Sequence, residues 1–579
     1  MAIINGTDGD DDLVGTNAAD VINGLGGDDK LTAGAGDTLN GGDGDDRLIG
    51  AYGAILNGGA GIDTADYTGK VGMMTIDLAA GTGSFNAAQG TQFIDVENVI
   101  GGESGDRIFG NSAANHLFGN GGDDALWGGD GADILDGGAG VDTLDFAGDS
   151  GGVGVDLRLG IGTAGSAAGD SYVSIENIVG SAYDDRLTAG AGVNRLEGGG
   201  GNDWLDGGDG ADVLIGGPSI GFPVPSGGRD TADYSHSTGE VWVELTGNNG
   251  NGAGHWNWAE GDVLSSIENV VGSAFDDWIY GTGSSTGDWL YGGDGNDHLF
   301  GNGGNSDELY GGNGNDTLVS TASFGVGTAF HGGAGADRLE GGGLSDLADY
   351  ADSSAAVWVH LGTGQGFWND AEGDTLITIE NLRGSLGNDL LYGSDGDNVI
   401  YGNDGNDDIG GGGGSDTLIG GLGADGIDGG AGTDLIDFSG NFGAVAVSLR
   451  AGVGNWNYAE GDRYANVENV IGTSYNDYLE GDAGANTLTG GGGEDLFTFV
   501  SGFGKDTITD FVGNGAASGD RISFGAGIFT GFDDMKAHST QVRLDPTHTN
   551  VVIQFDAANT VTLIGATLDS LHSSDFVFY

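Results

Sequence analysis

The feature that most constrains this chain is a nine-residue unit that recurs along most of its length. The stretch "GGDGADILDGGAGVDTLD" (128–145) holds two units, each with glycine at places one, two and four, aspartate at place six and leucine at place eight. Repetition at so short a period predicts stacked coils of a solenoid. The strict pattern Gly-Gly-x-Gly-x-Asp occurs 13 times, starting at Gly41, Gly58, Gly128, Gly137, Gly198, Gly207, Gly292, Gly311, Gly332, Gly411, Gly420, Gly429 and Gly490.

Each place in the unit has a predicted structural role. The glycines let the backbone turn tightly with positive φ and bring carbonyl oxygens inward. The three residues after the aspartate form a very short strand, and the middle one, at place eight, points into the core. Two units make one coil, and successive coils pair their strands in parallel. Leucine fills place eight at Leu135, Leu144, Leu205, Leu214, Leu299, Leu318, Leu339 and Leu418.

Composition indicates what stabilises such a chain. It has 127 glycines among 579 residues, which are costly to order, and a formal net charge of −72. That charge argues against nucleic acid or an anionic membrane as a partner and calls for a cation. Cysteine is absent, so disulfides and thiolate metal sites are excluded. No stretch approaches the length of a membrane-spanning helix, so we expect no membrane span.

The cation that fits these turns is calcium. Carboxylate and carbonyl oxygens suit a hard ion with six to eight ligands, whereas magnesium needs a stricter octahedron and zinc prefers His or Cys. If about 20–25 turns each share one ion, some 40–50 positive charges cancel most of the negative charge. We therefore expect an expanded chain without calcium and a rigid solenoid with it.

The predicted ligands are the glycines at places two and four of the strict copies and the aspartate at place six of strict and looser copies, with roughly one ion per turn. They are Asp11, Asp29, Gly42, Gly44, Asp46, Gly59, Gly61, Asp63, Asp106, Asp124, Gly129, Gly131, Asp133, Gly138, Gly140, Asp142, Asp185, Gly199, Gly201, Asp203, Gly208, Gly210, Asp212, Asp230, Asp277, Asp288, Gly293, Gly295, Asp297, Asp307, Gly312, Gly314, Asp316, Gly333, Gly335, Asp337, Asp346, Asp389, Asp407, Gly412, Gly414, Asp416, Gly421, Gly423, Asp425, Gly430, Gly432, Asp434, Asp477, Gly491, Gly493 and Asp495.

Five longer segments alternate with the arrays of short units. Each begins with an aromatic residue, continues with an alternating strand such as "VWVEL" and ends on Glu-Asn between aliphatic residues. The predicted order is array 1 at 1–66, segment A at 67–100, array 2 at 101–145, segment B at 146–179, array 3 at 180–233 with a proline-rich surface loop at 218–226, segment C at 234–271, array 4 at 272–349, segment D at 350–383, array 5 at 384–437, segment E at 438–471, array 6 at 472–498, and a β-rich C-terminal cap with an export signal at 499–579.

Units such as "GGDGADILD" and "GGNGNDTLV" resemble those of the RTX (repeats-in-toxin) family, whose haemolysin-type nonapeptide binds calcium. The C-terminal stretch "DLFTFVSGFGKDTITDF…LHSSDFVFY" resembles the end of RTX proteins exported by type I secretion. The resemblance implies an all-β fold, a parallel β-roll or β-helix solenoid with a C-terminal β-rich cap. It also implies contact with the type I secretion apparatus, export unfolded, and folding in calcium-rich surroundings outside the cell. The start "MAIINGTDGDDDLVG" lacks a basic region and an apolar run, so we expect no Sec-type signal peptide.

Four motifs leave alternatives open. Asn115, Asn194, Asn398 and Asn486 stand in place of the aspartate, so we expect weak or empty sites there. The five Glu-Asn pairs predict a side-chain ladder between coils, the other interpretation being repeated catalytic acids. The tryptophans of "WNWAEGD" (256–262), "WNDAEGD" (368–374) and "WNYAEGD" (456–462) predict packing within their own segment or a flat surface for glycans or a neighbouring protomer. The acids of the same stretches are further calcium-ligand candidates.

No catalytic motif is present: there is no HExxH, no Ser/His/Asp arrangement with GxSxG, and no phosphate loop. We therefore expect no enzyme. The sequence favours a secreted calcium-binding protein with a structural role in a surface layer or matrix, or a role in adhesion, at or near the cell surface. The alternatives are an extracellular protein acting on polysaccharide and, further off, a cytolysin.

Overall fold

The computed structural model describes residues 1–217, 228–245, 252–283, 287–303, 306–321, 326–343, 345–513, 519–543 and 549–579. The chain divides into two compact units, unit 1 with residues 1–282 and 289–293, and unit 2 with residues 283–288 and 294–579. Both are built almost entirely of short strands. The predicted proline-rich loop at 218–226 lies outside the described residues.

Strands form because each turn is followed by a short alternating stretch with one apolar residue facing inward. Consecutive strands of an array belong to opposite sheets, so two strands and two turns make one coil. Residues one coil apart pair in parallel and in register, as Leu117 pairs with Leu135 and Leu187 with Leu205. Each unit is therefore a parallel β-roll of two sheets, as the sequence predicts.

The strands of unit 1 follow one another across each sheet by hydrogen-bonded pairing. Its first sheet has the order Ile3–Asn5, Val21–Gly26, Thr38–Asp43, Ile55–Ala60, Gln92–Ile94, Thr82–Ser84, Thr75–Asp77, Arg107–Phe109, Ala125–Trp127, Thr143–Asp145, Asn177–Val179, Arg195–Glu197, Val213–Ile215, Val263–Ser265, Gly252–His255, Trp242–Glu244 and Trp278–Tyr280. Its second sheet has the order Asp12–Val14, Lys30–Thr32, Arg47–Ile49, Thr64–Asp66, Asn98–Ile100, His116–Gly121, Ile134–Ala139, Ser171–Val173, Ile161–Ala164, Gly154–Asp156, Arg186–Thr188, Trp204–Asp206, Thr231–Asp233, Asn269–Val271 and Trp289–Asp294.

Unit 2 repeats this arrangement. Its first sheet has the order His298–Phe300, Thr317–Val319, Arg338–Glu340, Thr375–Ile377, Gln365–Phe367, Trp358–His360, Leu390–Tyr392, Asp408–Gly414, Gly426–Gly432, Arg463–Ala465, Val453–Asn455, Ala446–Ser448, Tyr478–Glu480, Leu496–Phe499, Arg521–Phe524 and Phe576–Phe578. Its second sheet has the order Glu308–Asn313, Ala329–Ala334, Leu347–Asp349, Asn381–Arg383, Val399–Asp404, Thr417–Leu422, Leu435–Asp437, Asn469–Ile471, Thr487–Thr489, Lys505–Ile508, Thr560–Leu563, Thr549–Gln554 and Ser539–Arg543.

Each long segment adds a three-stranded antiparallel excursion to one sheet. In segment A, Gln92–Ile94 continues the parallel ladder from Ile55–Ala60, pairs antiparallel with Thr82–Ser84, and that strand pairs antiparallel with Thr75–Asp77. Thr75–Asp77 then pairs in parallel with Arg107–Phe109 of the next coil. The excursions of segments A, C, D and E lie in the first sheet of their unit, and that of segment B lies in the second sheet of unit 1.

The core is a stack of the inward residues. All eight leucines predicted at place eight are fully buried, as are Val241 and Val243 of segment C. Toward the C-terminus phenylalanine replaces leucine in the stack, and the Phe524 ring lies 5.0 Å from Phe529 and 6.5 Å from Phe576. The strands after residue 499 continue both ladders of unit 2 in parallel from Leu496–Phe499 and Thr487–Thr489. The β-rich C-terminal region thus shares the sheets of the arrays.

Helical structure in the described residues is confined to short pieces. The α-helix spans Phe532–Ala537, and 3-10 turns occur at Asn86–Ala88, Gly165–Ala167, Asn257–Ala259, Asn369–Ala371, Asn457–Ala459 and Ser573–Asp575. Within the described ranges, no helix has the length and apolar character needed to cross a bilayer.

Candidate calcium-binding turns

The predicted glycines shape the turns by their backbone conformation. In all 13 strict copies the second glycine has a positive φ, as at Gly42 (129°) and Gly208 (82°), and the fourth does too in every copy except at Gly210. A Cβ on the second glycine would collide with a carbonyl of the preceding coil, as Gly333 would with Gly312. Both observations explain why the two places are glycine: the backbone is left-handed and the coils stack closely.

The place-six aspartates form a buried ladder. Oδ1 of Asp46 accepts the backbone N–H of Asp29 in the preceding coil at 2.8 Å, and Asp407 and Asp425 repeat this in unit 2. Each carboxylate thus satisfies the amide of the turn stacked against it. Asp11 is partly exposed, and Asp230, Asp288, Asp297, Asp307, Asp316, Asp346 and Asp495 are buried members of the same ladder.

The second carboxylate oxygen of many of these residues has no such partner. Oδ2 is buried and accepts no hydrogen bond from the described residues at Asp29, Asp46, Asp63, Asp124, Asp133, Asp142, Asp203, Asp212, Asp337, Asp407, Asp416, Asp425 and Asp434. A buried charged oxygen without a partner is strongly unfavourable unless a cation compensates it.

A carbonyl oxygen lies beside several of these orphaned atoms. A Cβ placed on Gly41 would meet both Oδ2 of Asp46 and the carbonyl oxygen of Gly58, one coil on. The same pair of oxygens surrounds Gly119, Gly402 and Gly411. A carboxylate oxygen and a carbonyl oxygen converging in a glycine-lined space form the donor set that calcium prefers. The turns therefore fit the ion, and these atoms would hold it.

The pKa values of the buried aspartates are raised, which shows that their charged form is unfavourable without a cation. Burial, reinforced by neighbouring carboxylates, raises the pKa of Asp46 to about 6, that of Asp124 to about 7 and those of Asp203 and Asp407 to about 8. A pKa raised in this way means that the fold disfavours the charged form. At neutral pH the ladder needs either protons or a bound cation.

A second class of turn follows each long segment and is closed by its own hydrogen bonds. Oδ2 of Asp389 accepts the N–H of Ser385 at 2.7 Å, and Oδ1 accepts both the Ser385 hydroxyl and the N–H of Val357 in the segment. Asp185, Asp277 and Asp477 repeat these bonds with Ser181, Ser273 and Thr473. Asp106 repeats only the two backbone bonds, from Gly102 and Met74. In this class the carboxylate anchors the start of the segment, a role that the sequence did not predict.

The Glu-Asn pairs continue the ladder across the long segments. The carboxylate of Glu97 accepts the N–H of Asp63 at 2.8 Å, and the Asn98 side-chain oxygen accepts the N–H of His116. The other pairs make the same bonds, with glutamate acceptors at Glu176, Glu268, Glu380 and Glu468 and asparagine acceptors at Asn177, Asn269, Asn381 and Asn469. These contacts confirm the ladder interpretation.

Asparagine in place of aspartate changes the turn chemistry. The Nδ2 group of Asn115 donates to the carbonyl of Glu97, and Asn194 and Asn398 donate likewise to Glu176 and Glu380, at 2.6–2.7 Å. In these turns an N–H donor replaces one of the two carboxylate oxygens. Because an N–H group cannot ligate a cation, we still predict that these turns bind calcium weakly or not at all.

The aspartates of the "AEGD" stretches are also satisfied. Asp262 accepts the N–H of Asp212 at one oxygen and the Tyr234 hydroxyl at the other, and Asp374 does the same with Asp337 and Tyr350. Both oxygens are engaged inside the core, so the contacts favour a structural role over the further calcium sites considered from the sequence.

One cluster of metal-ligand residue types lies outside the repeating pattern. Ligand atoms of Asp206, Asp233 and His236 lie within 4.8 Å of one another. Arg158 lies 3.2 Å from the Asp206 carboxylate and Arg186 lies 3.6 Å from that of Asp233. Because guanidinium groups already supply positive charge there, the cluster is an ion-pair network.

The fold and the site define a class: a parallel β-roll whose glycine-rich turns carry buried carboxylates suited to calcium. The model of the RTX calcium-binding nonapeptide repeat (4 copies) matches residues 5–37, 100–135, 109–144, 174–205, 188–218, 282–318, 330–347, 378–409, 410–440 and 471–508. The chain therefore carries RTX calcium-binding nonapeptide repeats along its length.

Two further comparisons add little. No curated protein matches the chain. Among solved structures it is similar to the extracellular lipase LipA from Serratia marcescens, at 19% identity over 55% of this chain and 44% of that chain, with a TM-score of 0.14. The matched part thus spans less than half of the lipase chain.

We predict that the two classes of turn differ in calcium binding. Asp407→Asn is expected to lower the number of bound calcium ions, because it removes an orphaned carboxylate oxygen. Asp389→Asn, its neighbour in the preceding coil, is expected to leave that number unchanged and to destabilise the fold by about 1–3 kcal/mol, since buried donors lose an acceptor. Calcium per chain is measured by mass spectrometry of gel-filtered protein, and stability by denaturant unfolding. Equal calcium loss in both variants would contradict the distinction.

Proposed function

We propose that this protein is secreted, folds on calcium outside the cell, and serves as a structural protein of a surface layer or matrix or as an adhesion protein. The observation that carries the proposal is the ladder of buried carboxylates with orphaned oxygens, present in both units. Such a fold becomes stable where calcium is abundant and stays open where it is scarce. Proteins of this family are generally exported by type I secretion, which agrees with that dependence.

A non-catalytic role is part of the proposal. The acids that recur in the long segments, such as Glu97 and Glu380, already accept backbone hydrogen bonds within the ladder. A general acid or base needs a carboxyl group within reach of a substrate. We also propose that calcium occupies only the turns whose aspartate has an orphaned oxygen. The number of bound ions is then smaller than the number of turns.

Electron microscopy of the purified protein, with calcium and after chelation, tests the structural role. Ordered sheets or filaments that form with calcium and disappear after chelation are the expected result. The same samples are incubated with soluble polysaccharides, and the reducing ends released are measured. Isolated particles that shorten polysaccharide chains would instead favour the alternative, a polysaccharide-acting enzyme.

A further inference from the structure

Four long segments present an aromatic side chain at the same point of the backbone. The residue lies at the end of the middle strand of the excursion, just before the 3-10 turn, and we call it the aromatic corner. The corners are partly exposed: Phe85 (55%), Trp256 (39%), Trp368 (43%) and Trp456 (50%). Their backbones are nearly identical, with φ between 63° and 67° and ψ between 130° and 148°.

This backbone conformation is unfavourable for a bulky residue. Positive φ with extended ψ belongs to glycine, and an aromatic residue there is an outlier. Segment B, the excursion of the second sheet, has Ala164 in extended conformation with φ −153° and leaves the positive φ to Gly165. A corner can therefore be built without an aromatic ring, yet four segments have one.

The backbone of the aromatic corner is stabilised by hydrogen bonds that do not involve the aromatic ring. The following asparagine donates its Nδ2 to a backbone carbonyl, as Asn369 does to Ala356 and Asn457 to Ala444, both at 2.6 Å. In segment E the Glu460 carboxylate accepts the N–H of Trp456 at 2.9 Å. These bonds fix the backbone without using the ring. The rings of Trp256 and Trp368 also pack edge-on against Trp242 and Trp358 of their own segments, at 5.2 and 5.6 Å, and keep an exposed part at the surface.

The surroundings of Trp456 indicate what the ring meets. The ring borders a cavity of about 480 Å³ together with Ala446, Asn455, Glu460 and Tyr478. A flat apolar face bordered by an amide, a carboxylate and a phenol matches a sugar ring, which has an apolar C–H face and hydroxyl groups at its edge. The net charge of −72 disfavours an anionic ligand.

We propose that the aromatic corners are binding sites for neutral glycans. The proposal rests on the adhesion role proposed above and names the chemistry of its partner. Trp368 and Trp456 follow strands Gln365–Phe367 and Val453–Asn455 of one sheet in unit 2, six strand pairings apart. At about 4.8 Å for each pairing the two corners are about 29 Å apart along the sheet, so one polysaccharide chain spans both.

A second copy of this chain is the competing occupant. It would bring its own acidic surface against the first, and the carboxylate of Glu460 lies beside the ring. Like charges across an interface are unfavourable. The observations favour the neutral glycan, and self-association becomes an outcome of the test.

The test uses the full chain in excess calcium. Trp456→Gly relieves the strained φ, so folding and bound calcium are expected to stay as in the wild type. Phe442→Ala is the matched control, since Phe442 is a 78% exposed aromatic of the same segment outside the corner. Binding is measured by titration calorimetry with neutral hexasaccharides of glucose, mannose, galactose and N-acetylglucosamine, with a hexagalacturonate as the anionic comparison.

Because the other corners remain, we expect Trp456→Gly to bind one neutral hexasaccharide fewer per chain than the wild type, and Phe442→Ala to bind as many as the wild type does. On the corresponding long polysaccharide, Trp368→Gly with Trp456→Gly should bind more weakly than either single variant, because a chain that reaches both corners loses both contacts. Wild-type stoichiometry in Trp456→Gly, binding to no neutral hexasaccharide, or a loss confined to self-association by sedimentation would overturn the proposal. Failure of calcium-dependent assembly with glycan binding retained would count against the structural role alone.

Discussion

Chelating calcium at neutral pH is expected to convert the whole protein into an expanded chain. At thirteen place-six aspartates the buried Oδ2 has no hydrogen-bond partner among the described residues. Two like charges 4 Å apart repel by about 4 kcal/mol at an intermediate dielectric, so a ladder of carboxylates without counter-charge opposes stacking at each such coil. The coils share their strand ladders, so the loss spreads along each unit.

Far-ultraviolet circular dichroism and small-angle scattering measure this change. After chelation the β-signal should disappear and the radius of gyration should rise toward about 90 Å, the value for an unfolded chain of this length. Calcium should restore both signals, while magnesium at the same concentration should not, because it needs a stricter octahedral site. A β-spectrum unaffected by EGTA would refute the calcium-dependent fold.

Acid is expected to replace part of the calcium. The raised pKa values, about 6 at Asp46, about 7 at Asp124 and about 8 at Asp203, mean that the folded chain binds protons more tightly than the unfolded one. The stabilising contribution of these protons is complete below the ordinary pKa of 3.8 and is lost as pH rises through 6 to 8. Without calcium, compaction should therefore increase between about pH 8 and about pH 5.

The same two methods follow this transition in EGTA. A calcium-loaded sample is the control: acidification should release calcium from it, because protons compete for the same oxygens. The working range stays above the isoelectric point of about 4.1, near which association would obscure compaction. If the chelated chain is equally expanded at about pH 8 and about pH 5, the burial of charged carboxylates does not oppose folding.

The sequence predicted the parts of the fold that depend on period alone. A leucine every nine residues specified the inward face, and Leu205 and Leu418 are fully buried. Glycine at places two and four specified positive φ, with Gly210 as the exception. The β-roll and its family followed from these features.

The two classes of turn were not distinguished from the sequence, because the difference depends on which backbone amide each carboxylate meets. Asp185 and Asp203 occupy the same place of their units, yet only Asp185 has a hydroxyl residue, Ser181, four places before it to satisfy the carboxylate. Serine or threonine at place two, shortly after Glu-Asn, marks four of the five turns of this class, and the turn of Asp106 has Gly102 there. The tryptophans of the corners recur visibly in the sequence, but their positive φ was not predicted, since tryptophan is not a residue from which positive φ is expected.

The long segments have a consequence for how the chain length of such a protein changes in evolution. The bond from Asp63 to Glu97 spans 34 residues, and those from Asp142 to Glu176, Asp346 to Glu380 and Asp434 to Glu468 span 34 as well. A stretch that leaves the solenoid and rejoins it at the next rung can be duplicated or deleted as a block without disturbing its neighbours. Length, and with it the number of exposed rings, can therefore evolve by copying whole cassettes.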